Sequence, residues 1–175
     1  MARFEDLQRS LWEAGSDYGV QPPLTDQSIL EAERLLNVTL PAALLDLLRI
    51  QNGGQIADSW SAFPTTRATS WSFDHVPFEN LMGIGHRERT VSILDSPYLV
   101  EEWELPAGIL LLSGDGHCWI GLDYRVRDLL EEPSVTWFDA DDGSELPLAP
   151  TFQSFLEGLT SVGSFETMQH ELGTT

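Results

Sequence analysis

Lysine is absent from this chain and cysteine occurs once. A single cysteine excludes an intramolecular disulfide and any metal site built on several thiolates. Without lysine, the stretch GIGHRER at 83–89 cannot serve as a phosphate-cradling loop, which needs one at the start of a helix. Nor is there a GxSxG elbow, and His75, His86, His117 and His170 show neither HxH nor HExxH spacing, so no metal or other cofactor is implied. No apolar run approaches the roughly 20 residues of a membrane-spanning helix. Basic residues are also scarce. Nine arginines face 28 acids, for a net charge of −19 and a sequence pI near 4.2. That sign repels phosphate backbones and argues against direct binding of DNA or RNA. It suits either a cationic protein partner or plain solubility.

What is present is a globular composition, 42% hydrophobic and 10% aromatic over 175 residues, enough for one domain with a real core. No repeat or low-complexity tract divides residues 1–175. The N-terminus, MARFEDLQRSLWEAG, is amphipathic and carries acids, so it does not read as a signal peptide. A reducing cytoplasm is the expected location, and Asn37 of the NVT sequon is expected to stay unglycosylated.

Phe4, Leu7, Leu11 and Trp12 fall on one face of a first helix. Thr25 caps a second, with Ile29, Ala32, Leu35 and Leu36 as its buried face and Asn37 as a left-handed stop. Pro41 fits the first turn of a third, which Asn52-Gly53-Gly54 terminates. Residues 55–80 show no clean period. A short strand is expected near NLMGIG, and TVSIL at 90–94 reads as a strand or as the lead-in to a short helix capped by Ser96. Thereafter GILLLSGD, GHCWIGLDY and SVTWFDADDG read as strands, with GDG as a hairpin turn. Phe152, Phe155, Leu156 and Leu159 mark a closing helix near Thr151, followed by a tail over 160–175. Helices first, strands next and a last helix predict an α+β fold, a twisted, mainly antiparallel sheet flanked by N-terminal helices and a C-terminal helix.

The stretch GDGHCWIGLDYR at 114–125 holds Asp115, His117, Cys118 and Asp123, a list that would suit a hydrolase. Strand alternation separates them. His117, Trp119, Gly121 and Asp123 share one face, while Cys118, Ile120, Leu122 and Tyr124 share the other. Cys118 therefore reads as a small buried hydrophobe, and His117, beside a turn, as structural or part of a binding surface. DADDGSE at 139–145 fails as a calcium loop, because Gly143 is fifth and the twelfth position is Pro150. The acids are unevenly spread. Between Asp95 and Glu145 stand 13 acids and two arginines, −11 of the total −19. Glu101, Glu102, Glu104, Glu131, Glu132, Asp139, Asp141 and Asp142 fall in the short helix or in turns around the sheet and, with Trp103, Asp115 and His117, form the candidate partner-binding set. Trp60, Trp71 and Trp119 are further aromatics that could anchor a contact or fill the core.

The order of four blocks carries a family resemblance: LTDQSILEAERLLNVTLPAALLDLLRIQNGG, EEWELPAGILLLSGDGHCWIGLDYR, PSVTWFDADDG and LAPTFQSFLEGL. Together they resemble the Smi/Knr type of the SUKH superfamily over about residues 24–159, leaving 1–23 as an N-terminal helix and linker. The resemblance implies an α+β domain that binds proteins and is not an enzyme. Bacterial members are commonly immunity proteins that neutralise a toxin of nuclease or deaminase type. Fungal members act as protein-binding hubs in cell-wall and stress signalling. It also implies that Pro41, Asn52, Gly53, Gly54, Gly114, Leu122 and Asp123 are fold determinants. The expected function is therefore an immunity protein that meets a basic toxin domain through acidic groups. A regulatory scaffold is the second reading, and a hydrolase using Cys118 or His117 the third.

Overall fold

The structure, a computed structural model, describes residues 3–125 and 131–165. Helix α1 (Phe4–Ser10) buries Leu7 completely, and Leu11 at its C-cap is equally buried. It ends sooner than its period predicts because the chain is drawn into strand-like pairing. Ala57 N donates to Leu11 O (2.8 Å), Trp12 bridges Ile56, and Glu13 N donates to Gln55 O (3.0 Å). Helix α2 (Asp26–Leu36) opens on a capping box between Thr25 and Ser28 and closes on Asn37 at φ 53°. Its buried stripe is narrower than expected. Ile29 and Ala32 are buried and Leu36 half-buried, whereas Leu35, about 100° around the helix from Leu36, is 62% exposed. Helix α3 (Ala42–Ile50) has Pro41 at its N-cap, not inside the first turn, and Glu33 Oε1 accepts from Leu40 N (2.9 Å) just ahead of it.

The region without a sequence period folds into four very short strands: β1 (Gly54–Gln55), β2 (Ala62–Pro64), β3 (His75–Pro77) and β4 (Asn80–Leu81). They pair antiparallel as β1–β4 and β2–β3. TVSIL supplies the lead-in and not a strand. Ser92 caps a single 3₁₀ turn (Ile93–Asp95) that runs into α4 (Ser96–Glu102). Ser96, expected as that helix's cap, is instead its first residue and buried, with Oγ accepting from Leu111 N (2.9 Å).

The main sheet is an antiparallel meander of β5 (Ile109–Gly114), β6 (Cys118–Asp123), β7 (Ser134–Asp139) and β8 (Glu145–Ala149). Strand β8 carries Pro147, tolerated because it lies at the sheet edge. Both faces of β6 are covered, since Trp119 and Ile120 are each at least nine-tenths buried. Helix α5 (Phe152–Glu157), capped by Thr151, packs against β7 and β8 and against α1 and α3. Its Phe155 ring stacks on Phe63 (4.9 Å) and meets Phe78 edge-on (5.1 Å). The fold is α+β. The tail is described only to Phe165; the rest of it, with His170, lies outside the described residues. Among the described residues no helix is long and apolar enough to cross a membrane.

Asn52-Gly53-Gly54 acts as the crossing point of the chain. Asn52 Nδ2 donates to Pro22 O (2.6 Å) and Ile84 O (2.8 Å), and its Oδ1 accepts from Ile84 N (2.8 Å). Backbones pass so closely there that a Cβ on Gly53, which also has φ +88°, would lie 2.4 Å from Gly83 N. A Cβ on Gly83 would lie 2.1 Å from Asn52 O. Asn52→Ala strands a buried N–H of Ile84 and removes two donors, so it should lower the unfolding free energy by about 2–4 kcal/mol. Urea denaturation checks this, with Leu35→Ala, an exposed apolar truncation, expected to change stability by under about 1 kcal/mol.

Candidate partner-binding surface

Two tight turns meet at one end of the main sheet. In the β5–β6 turn, Asp115 Oδ1 accepts from His117 N (2.9 Å) and Cys118 N (2.8 Å), while Gly116 takes φ 100°. In the β7–β8 turn, Asp139 Oδ1 accepts from Asp141 N (2.8 Å) and Asp142 Oδ1 from Ser144 N (2.7 Å). Cys118 pairs with Asp139 across the sheet, so the turns are neighbours. His117 spans them. Its carbonyl accepts from Ala140 N (2.8 Å), and its Nδ1 lies 3.1 Å from Asp141 Oδ1.

The end of α4 delivers Trp103 onto these turns. The indole meets His117 edge-on at 5.7 Å and lies 6.3 Å from Trp119. It sits so close over Gly116 that a Cβ there would approach the ring to 3.0 Å. The helix then closes in a Schellman motif: Glu104 N donates to Glu101 O (3.2 Å) and Leu105 N to Val100 O (2.9 Å). Glu104 holds the left-handed position at φ 51°, where glycine is the usual choice. Tyr98, Glu101, Glu102, Trp103, Glu104 and Ala140 line one open groove. A third segment arrives from the β2–β3 connection, where the Ser70 hydroxyl donates to Asp139. Beside it Trp71 is 48% and Phe73 85% exposed.

The fold thus gathers Glu101, Glu102, Trp103, Glu104, Asp115, His117, Asp141 and Asp142 at one end. Glu131 and Glu132 are exposed but belong to the β6–β7 connection at the opposite end. Asp139 is placed differently from the other acids: it is only 4% exposed, and its carboxylate is engaged by Ser70 and by Asp141 N, so it builds the turn. Among the tryptophans, Trp119 is buried, and Trp60 is half-buried with its N–H on Ser10 Oγ (3.1 Å). The sequence does not mark out Tyr98 and Phe73, because the exposure of a lone aromatic is set by tertiary packing. Tyr98 stands one turn before Glu102 on α4, a spacing that could have linked it to the acids.

The acids also set the titration of this end. The hydrogen bond and charge of Asp141, aided by Asp115 and Asp139, raise the pKa of His117. Burial first, and then the charges of Asp139 and Asp115, push the Cys118 thiol up to about 11. Such a thiol stays protonated at neutral pH, the opposite of what a nucleophile needs. Among the described residues no group of three or more His, Cys, Asp or Glu is placed to hold a metal ion. Two outcomes are expected. Cys118 should react with a thiol reagent at pH 8 roughly a hundredfold more slowly than an unperturbed cysteine, measured spectrophotometrically. The His117–Asp141 ion pair is present in full below the unfolded-state histidine pKa and fades as pH rises through the raised folded value. An NMR titration should therefore find the His117 transition moved to lower pH in Asp141→Asn.

A comparison with curated proteins gives no match. Residues 23–158 match the family described as SMI1 / KNR4 (SUKH-1), a span that begins at Pro23 ahead of α2 and runs to Gly158 at the end of α5. It contains the glycine crossing, the whole meander and α4 with its glutamates. The chain belongs to the SMI1 / KNR4 family (SUKH-1).

Proposed function

We propose that this chain is a protein-binding domain of the immunity type, which docks a basic toxin domain, of nuclease or deaminase class, on the turn end of its main sheet and occludes the toxin's cleft. One observation carries the reading: Glu101, Glu102 and Glu104 share a groove with Tyr98 and Trp103, beside the exposed Asp141 and Asp142. Aromatic side chains supply the apolar contact area in which binding energy concentrates. Carboxylates around them speed the encounter with a cationic partner and turn away anionic ones. A cleft that holds nucleic acid is basic, so this end of the molecule complements it in sign. The family is generally a non-catalytic immunity domain, which supports a steric and electrostatic mechanism over a chemical one.

The backbone at Glu104 makes the reading testable in an unusual way. A glutamate in the left-handed region is strained by about 1 kcal/mol relative to glycine. Glu104→Gly should therefore raise the unfolding free energy by about that amount while slowing association with the partner. Tyr98→Ala, at a position 65% exposed, should leave stability within about 0.5 kcal/mol and weaken binding about tenfold. The direct test is co-expression with the toxin domain encoded beside the gene. Cells making this chain should survive and cells making the Glu101/Glu102/Glu104→Gln variant should not. Death of cells that make the unaltered chain sinks the proposal.

A further inference from the structure

A separate groove of about 680 Å³ borders the same β5–β6 turn, walled by the 17–19 loop, β4 and the 87–91 loop. That volume lies within the range of roughly 300–1,000 Å³ typical of small-molecule sites. Its floor is apolar: Leu81, Met82 and Trp119 are buried and Leu99 is half-buried. At the mouth Tyr18 is 72% and Val91 51% exposed, so apolar surface continues from the floor to solvent.

Most of the acids are engaged. Asp17 Oδ2 accepts from Arg87 (3.1 Å), and Asp115 Oδ1 accepts from two backbone N–H groups; the exposed Glu88 is the remaining carboxylate of the rim. Among the donors Arg87 is engaged as well, its Nη1 donating to Asp17 O (2.9 Å) and Val20 O (2.8 Å), but others are not. The Trp119 indole N–H is buried and, like those of Trp12 and Trp137, has no acceptor among the described residues. Asn80 uses its Oδ1 to accept from Ser113 Oγ (3.1 Å), and its NH₂ has no acceptor there either. The Arg89 guanidinium has no partner among the described residues, and its backbone is held left-handed at φ 56°. A ligand that brings oxygen acceptors into the groove would pair with the free donors of Asn80 and Arg89.

We infer that this groove binds a small molecule with an apolar body and a terminal oxygen acceptor, an aryl or alkyl carboxylate or its amide. The body lies on Leu81, Met82, Leu99 and the Trp119 ring, and the oxygens meet the donors of Asn80 and Arg89. The site is independent of the acidic groove and needs no toxin partner.

Three probes with one shared bicyclic body separate this site from plain electrostatic attraction: 1-naphthaleneacetate, 1-naphthaleneacetamide and 1-naphthalenemethylammonium. Each is titrated into the full chain by calorimetry, with the Trp119 indole N–H followed by NMR. The acetate and acetamide should bind at least about tenfold more tightly than the ammonium and shift the Trp119 signal. A net charge of −19 acting alone would favour the cation, the reverse order. Arg89→Gly removes the guanidinium from a backbone that glycine prefers. It should weaken the acetate about tenfold and leave the acetamide within about twofold. Val91→Asp at the mouth should weaken both. Tightest binding by the ammonium, no binding by any probe, or a Trp119 signal that does not move would each overturn the inference.

Discussion

The side-chain amide of Asn52 holds together three parts of the chain at the end of the short β1–β4 pair. It ties the Gln21–Pro22 loop to the Ile84 segment, while Gly53 and Gly83 pass with no room for a Cβ. Gln21 extends the same junction, its Oε1 accepting from Arg87 N (2.9 Å) and its Nε2 donating to Thr90 O (3.3 Å). Next in line is Ser92, which donates to Gly83 O and accepts from Gly85 N (3.1 Å each) and caps the turn into α4. Ser96 then fastens the start of α4 to Leu111 of β5. Through that sequence of bonds the position of Asn52 decides where α4 begins, and so where Trp103 and the three glutamates end. A defect at the crossing would therefore be felt at both grooves, even though Asn52 lies in neither.

Much of this architecture is legible in the residues, for physical reasons that differ by element. Capped helices announce themselves because Thr25, Asn37 and Thr151 satisfy backbone groups locally, and local chemistry is readable from local sequence. The long strands β5, β6 and β7 are legible because apolar runs bounded by Gly and Asp have few other uses. Strands of two or three residues, such as β1 and β4, are set by tertiary partners and carry no period. Ser96 misleads for a related reason. A serine before a proline looks like a cap, and only the packing of α4 on β5 shows that its hydroxyl serves Leu111. Asp139 misleads likewise, since an acid in a run of acids looks solvated until Ser70 arrives from the distant β2–β3 connection to bond it. The candidate surface is thus half legible. Its acids stand out in the composition, while their grouping into one end, the separation of Glu131 and Glu132, and the exposure of Tyr98 and Phe73 depend on topology.

Stability alone does not account for the end of α4. A helix C-terminus carries the negative pole of the backbone dipole and favours cations in its last turn. Here the last turn contains no basic residue, holds Glu101 and Glu102, and passes directly to Glu104 in a left-handed backbone. Each like charge beside that pole is unfavourable by about 0.3–1 kcal/mol, and the Glu104 backbone adds about 1 kcal/mol more. Nearby, Asp141 spends its charge on His117, whereas Asp123, at the opposite end of the sheet, is paired with Arg125 at 2.7 Å. The contrast within one sheet is informative. Where arginine is available the fold neutralises a carboxylate with a short ion pair, and at the end of α4 it concentrates carboxylates against an unfavourable dipole. A cationic partner would relieve the dipole, the mutual repulsion of the glutamates and the surplus of negative charge in one step. That shared relief is the physical reason a cationic partner, were one bound, would favour the end of α4.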